Sequence, residues 1–348
     1  MEKRIFLFLL LFSFVAKLFA LHSYPKERLV IGKIFPQEII YFKAVPPIDA
    51  DELGNIYAVG NREHTVYKFD SNGKFLLKFG GFGQGPGDLQ WPYYISSARK
   101  LKQVIVFDNV GLSIYSEKGR FINRIRIFSP ALSIYASPNN ILLLQPTENN
   151  LINEFNYNGK FIKAFGSKYK INYSLHKNIS PRELDLIIND GAIFSDDSSV
   201  YYFTSFIFGD IFKYDATGKI IIIKKFQELK GRENNETLIY KRGLKRNKDD
   251  TISTPPRVIQ AAYLQEDYLF LLVSYYGISG DLKKSSPYEI WVLSKDNFYV
   301  KKRYFLDVKD IEPMHLCVSL NKKENLLYIS FYDKAKEQNL IGLLKRGF

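Results

Sequence analysis

Four histidines, one cysteine and a few clusters of charge are the groups from which this 348-residue sequence could build chemistry. The histidines are His22, His64, His176 and His315, and no two stand at the spacing that presents a pair of imidazoles to one metal ion. Cys317 is the only cysteine, which excludes an intramolecular disulfide and a multi-cysteine metal site. Lying in the apolar stretch Leu316-Cys317-Val318, it reads as a buried structural thiol. Glycines crowd residues 80–87, but the Gly-Lys-Ser/Thr ending and the βαβ setting of a phosphate-binding loop are missing. No Gly-x-Ser-x-Gly nucleophile elbow occurs. No catalytic set and no cofactor are expected from these residues.

Binding chemistry is what remains. Arg62 and His64 share one turn, Lys241-Arg242 and Lys245-Arg246 form a spaced basic cluster, and Tyr275 and Tyr276 are adjacent aromatics. The cations favour an anionic partner, and the tyrosines offer flat contact surface. Plainer readings exist for each: a turn histidine without a role, a mobile and soluble basic loop, and aromatics that pack strand ends. The formal charge of +13 is spread along the whole chain among Asn and Asp, as on a solvated surface.

The elements that must hold these residues show a repeat. An alternating apolar run, a turn with glycine, a basic residue and a further apolar residue read Val66-Tyr67-Lys68-Phe69-Asp70-Ser71-Asn72-Gly73-Lys74-Phe75. The pattern returns at 114–121, 154–161 and 212–220, without glycine at 290–298, and at the chain end at 343–348. Each copy has the signature of a β-hairpin, with glycine supplying the positive φ of a tight turn. One hairpin cannot bury its apolar faces alone, whereas several stacked radially can. The 24 Tyr and 28 Phe suit such pleated, half-buried surfaces.

Residues 47–95 carry an inner strand with Asp-x-x-Gly-Asn-Ile-Tyr, the Phe-Asp-x-x-Gly-Lys-Phe hairpin and a Phe-Gly…Gly-x-Gly-Pro-Gly…Pro connection. This stretch resembles an NHL repeat and, more broadly, the bacterial six-bladed β-propeller proteins. The resemblance is partial at 112–166 and 193–226 and weak from 258 onwards. It implies an all-β fold, a six-bladed β-propeller with four-stranded antiparallel blades, but no single activity, because the fold hosts binding proteins, scaffolds, lyases and lactonases. In the lactonase and lyase members a divalent metal can sit in the central channel. The corresponding candidates are Asp49, Asp108, Asn109, Asp196 and Asp197, hard oxygen ligands suited to Ca²⁺ or another divalent cation. Aspartate at a strand end is equally ordinary turn chemistry.

The strand candidate Arg28–Phe35 has no blade of its own and is expected to complete the sixth, locking first and last segments together. In a four-strand blade the turn between strands two and three shares a face with the link to the next blade. The three longest insertions, 167–191, 227–257 and 275–287, all fall in such connections and so crowd one rim. Ser180-Pro181-Arg182-Glu183 predicts a capped helix running to about Asn189.

Lys3 and Arg4 followed by the apolar run Ile5–Ala16 and by Ala20 read as a secretory signal peptide over residues 1–20, too short to span a bilayer. A single domain, 21–348, would then work in the periplasm or outside the cell. The expectation is a monomeric binding or scaffold module whose insertion-bearing rim takes a protein, peptide or glycan. Export removes nucleic acid as a partner, and no stable membrane span is expected. The alternative is a metal-assisted, lactonase-like hydrolase or lyase with its site in the channel.

Overall fold

A computed structural model describes residues 27–346 apart from 37–39, 41, 148, 197, 230, 276–287, 309 and 322–323. The expected signal peptide at 1–20, His22, Asp197, Tyr276 and most of the third insertion lie outside the described residues. Strand β1 (Glu27–Phe35) precedes a sheet of β2 (Ile48–Ala50), β3 (Ile56–Gly60), β4 (Thr65–Phe69) and β5 (Phe75–Gly80). The second sheet holds β6 (Tyr94–Ala98), β7 (Gln103–Asp108), β8 (Gly111–Ser116) and β9 (Phe121–Arg126). The third is β10 (Ser133–Ala136), β11 (Ile141–Leu144), β12 (Ile152–Phe155) and β13 (Phe161–Phe165). The fourth is β14 (Gly191–Ser195), β15 (Tyr201–Ser205), β16 (Ile211–Tyr214) and β17 (Ile220–Lys224). Next come β18 (Ile259–Gln265), β19 (Tyr268–Ser274), β20 (Tyr288–Ser294) and β21 (Val300–Leu306), then β22 (Ile311–Asn321), β23 (Glu324–Asp333) and β24 (Gln338–Arg346).

Four of these groups are separate four-stranded antiparallel sheets, while the last strands form one eight-stranded sheet in the order β18-β19-β20-β21-β1-β24-β23-β22. The first strand of each group lies innermost. Going round, β2 neighbours β6, β6 neighbours β10, and so on through β14, β18 and β22, which returns to β2. The architecture is all-β and propeller-like. Burial follows from this stacking, because neighbouring sheets cover both faces of the inner strands. Strands β3, β14 and β15 are buried along their whole length, whereas β5 and β17 at the periphery are largely exposed.

Strand β1 pairs antiparallel with β24, from Leu29 opposite Arg346 to Phe35 opposite Ile341. Its first three residues also pair in parallel with Tyr304–Leu306 of β21, a joint without a counterpart among the sequence expectations. Side chains reinforce it: Lys302 Nζ lies 2.6 Å from Glu27 Oε1, and Arg28 pairs with Asp307.

The repeated turn is commonly built by one carboxylate or amide. Asp70 Oδ1 accepts from the backbone N–H of Asn72 and Lys74 at 2.8 and 2.9 Å, and Asn156 and Asp215 do the same two and three repeats later. The glycine of each turn has a second task besides its positive φ. A Cβ on Gly73 would stand 2.6 Å from the Phe35 ring, on Gly119 3.0 Å from Phe79, on Gly159 2.9 Å from Ile125 and on Gly218 2.4 Å from Phe165. Those four apolar residues sit in β1, β5, β9 and β13, the outer strands of the preceding groups. Glycine lets each hairpin lie flat against its neighbour. In the copy without glycine the turn is one residue longer, closing from Phe298 N–H to Ser294 O, and Phe298 takes the positive φ and is itself buried.

Two insertions fold rather than trail. Helix α1 (Pro181–Ile188) starts in the expected capping box, with Ser180 Oγ accepting from Glu183 N–H and Glu183 Oε2 accepting from Ser180 N–H at 2.9 Å. Helix α2 (Arg232–Thr237) runs into a π-helical turn, Leu238–Arg242. Leu184, Ile188, Ile239 and Leu244 share a small core with Ile207 and Phe208 from the β15–β16 turn. The reading of the second insertion as a mobile loop is therefore corrected. Its apolar residues at 239 and 244 had a partner surface on the first insertion.

Replacing Gly218 with Ala should destabilise the fold by about 2 kcal/mol, since a left-handed residue with a Cβ costs roughly 1–2 kcal/mol before the Phe165 contact is counted. Chemical denaturation checks this, and an unchanged midpoint would mean that the turn is not left-handed.

Candidate functional site

The innermost strands enclose a central cavity of about 770 Å³. Its size suits a small ligand. One end is set by the residues that enter the inner strands: Tyr94 begins β6, Arg257 precedes β18, and Phe206 follows β15. Asp190 ends the first insertion and Arg257 the second, so this mouth is where the insertion-bearing rim meets the cavity.

At the mouth, Arg257 Nε donates to Asp190 Oδ2 at 2.7 Å, and its guanidinium lies 5.1 Å over the Phe206 ring. Burial pushes the Asp190 carboxyl up, and Arg257 pulls it back. Tyr94 is pushed up to about 12, by burial first and then by the charge of Asp190. His315 reaches the same cavity from β22, where the register slips between Pro313 and His315. Such a bulge re-aims a side chain. Burial and the nearby Arg257 charge lower His315 to about 4, so its imidazole is neutral at pH 7.

The far end is crossed by Arg99. Its Nε donates to Ala50 O at 3.0 Å and one Nη to Val318 O at 3.2 Å, and its Nη groups also reach Gln265 Oε1 and the Tyr263 hydroxyl. Asp49 lies beside it, accepting from Ser97 N–H at 2.7 Å and from the Tyr263 hydroxyl. Burial pushes the Asp49 carboxyl up, with Arg99 opposing.

Of the four metal candidates within the described residues, Asp49 and Asp196 line the cavity and Asp108 and Asn109 do not. Asp108 is buried in the β7–β8 turn, accepting from the N–H groups of Gln90, Val110 and Gly111. Asn109 Oδ1 accepts from the Tyr93 hydroxyl at 2.8 Å. Asp196 holds its own turn through Ser198 N–H and Val200 N–H and accepts from Tyr202. Each is occupied by local donors, and no group of three His, Cys, Asp or Glu gathers to hold a metal among the described residues. These residues do not fit a channel metal.

The binding candidates also separate. Arg62 is exposed. His64, expected on an exposed turn, is instead buried, with φ at 53°, Nδ1 accepting from Trp91 N–H at 3.0 Å, and its ring between Phe82 and Trp91. It anchors the glycine-rich connection. Lys241, Arg242 and Lys245 are exposed on the rim. Arg246 is committed to Glu183, at 2.6 Å, which ties the two insertions together, and to Asp250 of its own insertion. The Tyr275 hydroxyl donates to Glu289 Oε2 at 3.0 Å. Cys317 is wholly buried, and burial pushes its thiol well up. Sequence reasoning passed over Tyr94, Arg99, Asp190 and Arg257, and it counted His315 without giving it a role. The one visible clue was Pro313, since proline inside a strand marks a bulge or an edge.

No known protein family and no curated protein matches this sequence. Solved structures do. A member of the DUF4221 family from Bacteroides vulgatus superposes with a TM-score of 0.60 at 14% identity, covering 93% of this chain and 100% of that one. What they share is the fold. A candidate exported protein from Bacteroides fragilis gives 0.54 at 11% identity over 92% of this chain and 95% of that one. A streptogramin B lyase gives 0.49 at 14%, over 92% and 97%.

A histidine held neutral in the fold costs stability as pH falls, because the unfolded chain takes up the proton from about 6.5 downwards and the folded chain only near 4. Between pH 7 and pH 5 the parent should therefore lose roughly 2 kcal/mol more than His315→Asn. Denaturant titrations at the two pH values check this. Equal losses would contradict the neutral imidazole.

Proposed function

We propose that this chain is an exported, monomeric, six-bladed propeller of NHL-like kind that binds a protein, peptide or glycan on its insertion-bearing rim without covalent chemistry. Six follows from counting the eight-stranded sheet as two blades, β18–β21 and β22–β24 with β1, joined at their outer strands. Six innermost strands succeeding one another in a cycle support that count. Export rests on Lys3, Arg4, the apolar run Ile5–Ala16 and Ala20, with the likeness in fold to a candidate exported protein beside it. No helix among the described residues is long and apolar enough to cross a membrane.

The observation that carries the binding reading is the shared core of the two insertions. Loops that exist only to connect do not bury Leu184, Ile188, Ile239 and Leu244 together. The small core and the Arg246–Glu183 pair act against the backbone freedom that ordering them costs. The product is a built surface that holds Lys241, Arg242 and Lys245 outwards beside the mouth of the cavity, the usual way binding residues are displayed on a rigid scaffold. Against a metal-assisted reaction stand the local donors that occupy Asp49, Asp108 and Asp196.

The test compares material captured from a periplasmic extract by the parent and by Lys241→Ser/Arg242→Ser/Lys245→Ser, whose exposed positions leave the fold alone. The variant should retain less than a fifth of the captured partner, with or without EDTA. Capture that survives these changes and disappears with EDTA would overturn the reading in favour of a metal site.

A further inference from the structure

We infer that the mouth of the central cavity is a carboxylate-binding site, which takes the acid group of a small organic acid or of an acidic sugar unit. The inference rests on the reading of this face as the binding face and names the chemistry of what enters.

Three donors converge there without protein acceptors. Asp190 occupies only Nε of Arg257, and Phe206 supports the guanidinium plane, so the group is held in one orientation from two sides. The edge left over is the Nη1–Nη2 pair, two parallel N–H donors with the spacing of a carboxylate. Among the described residues neither Nη group is hydrogen-bonded, nor is the Tyr94 hydroxyl or the His315 ring. All three residues line the same cavity, and each arrives from a different inner strand or its approach.

Charge and polarity at this point select for an acid. The ionisable groups facing one another are Tyr94, Asp190, Arg257 and His315. Asp190 is already paired, Tyr94 stays protonated, and neutral His315 keeps one N–H to give and one bare nitrogen. A neutral ligand would leave the Nη donors unmatched, and a cation would meet Arg257. The apolar part of the cavity wall includes Leu132, Ile134, Phe194 and Phe206. Those walls accept a planar or apolar body, whether an aromatic ring or the flat face of a sugar. The Arg99–Asp49 crossing at the far end favours entry from the insertion face.

The experiment uses phenylacetate and D-glucuronate, each against its uncharged counterpart, phenylacetamide and D-glucose, by calorimetric titration of the mature chain. At least one acid should bind tenfold or more tightly than its counterpart. Preference for phenylacetate assigns an aromatic acid, and preference for glucuronate assigns an acidic sugar. Asp190→Asn/Arg257→Gln, which removes both charges and leaves no lone buried carboxylate, should abolish the preference. His315→Asn should weaken the acid severalfold. Equal binding of acid and counterpart, no binding of either acid at millimolar concentration, or a preference that survives the double variant would each overturn the site. The Lys241→Ser/Arg242→Ser/Lys245→Ser protein separates the two readings. If it keeps the acid preference but loses its macromolecular partner, both stand. If the parent shows no acid preference while capture still depends on those three residues, only the carboxylate site fails.

Discussion

The antiparallel pairing of β1 with β24 joins residues that are more than three hundred positions apart, from Leu29 with Arg346 to Phe35 with Ile341. Without it, β24 and β21 would each present an open edge, a ready template for another chain. Closing so long a loop is costly in chain entropy but grows only slowly with length, so one strand suffices where its apolar residues also find a core. Leu29 and Phe35 do, in two different clusters. The pairing also brings β22 beside β2, and only then is the cavity enclosed on all sides.

Between the sheets, the same contact recurs. A hairpin glycine of one group lies on an apolar residue in the outer strand of the group before it, and Phe35 occupies that place for the first hairpin. The N-terminal strand is thus read by its neighbour as an ordinary outer strand. At the axis the contacts are polar instead. Arg99 ties together residues near 50, 265 and 318, so the far end of the cavity is fixed by one side chain that touches several blades.

Local rules carried most of the fold. Turn carboxylates, hairpin glycines and the Ser180–Glu183 box act within a few residues, and each is visible as a short pattern. The strand at 28–35 was legible as an apolar run that belongs to none of the hairpin repeats. The parallel joint of β1 with β21 was not, since edge-to-edge pairing leaves no periodic trace. The candidate site was hidden for a related reason. Tyr94, Asp190, Arg257 and His315 are scattered over more than two hundred residues, and only the cyclic order of the inner strands brings them to one mouth. His64 misled in the opposite sense: its turn looks exposed in sequence, but Phe82 and Trp91 fold over it from the next connection.

Ring closure by β1 is the claim on which the cavity, its mouth and its ligand chemistry all stand. Residue-resolved amide hydrogen exchange under native conditions tests it most directly. Val30–Phe35 and Ile341–Lys345 should exchange together, as slowly as the inner strands, through opening of the whole fold. Rapid exchange of Val30–Phe35, with the other outer strands still protected, would contradict it.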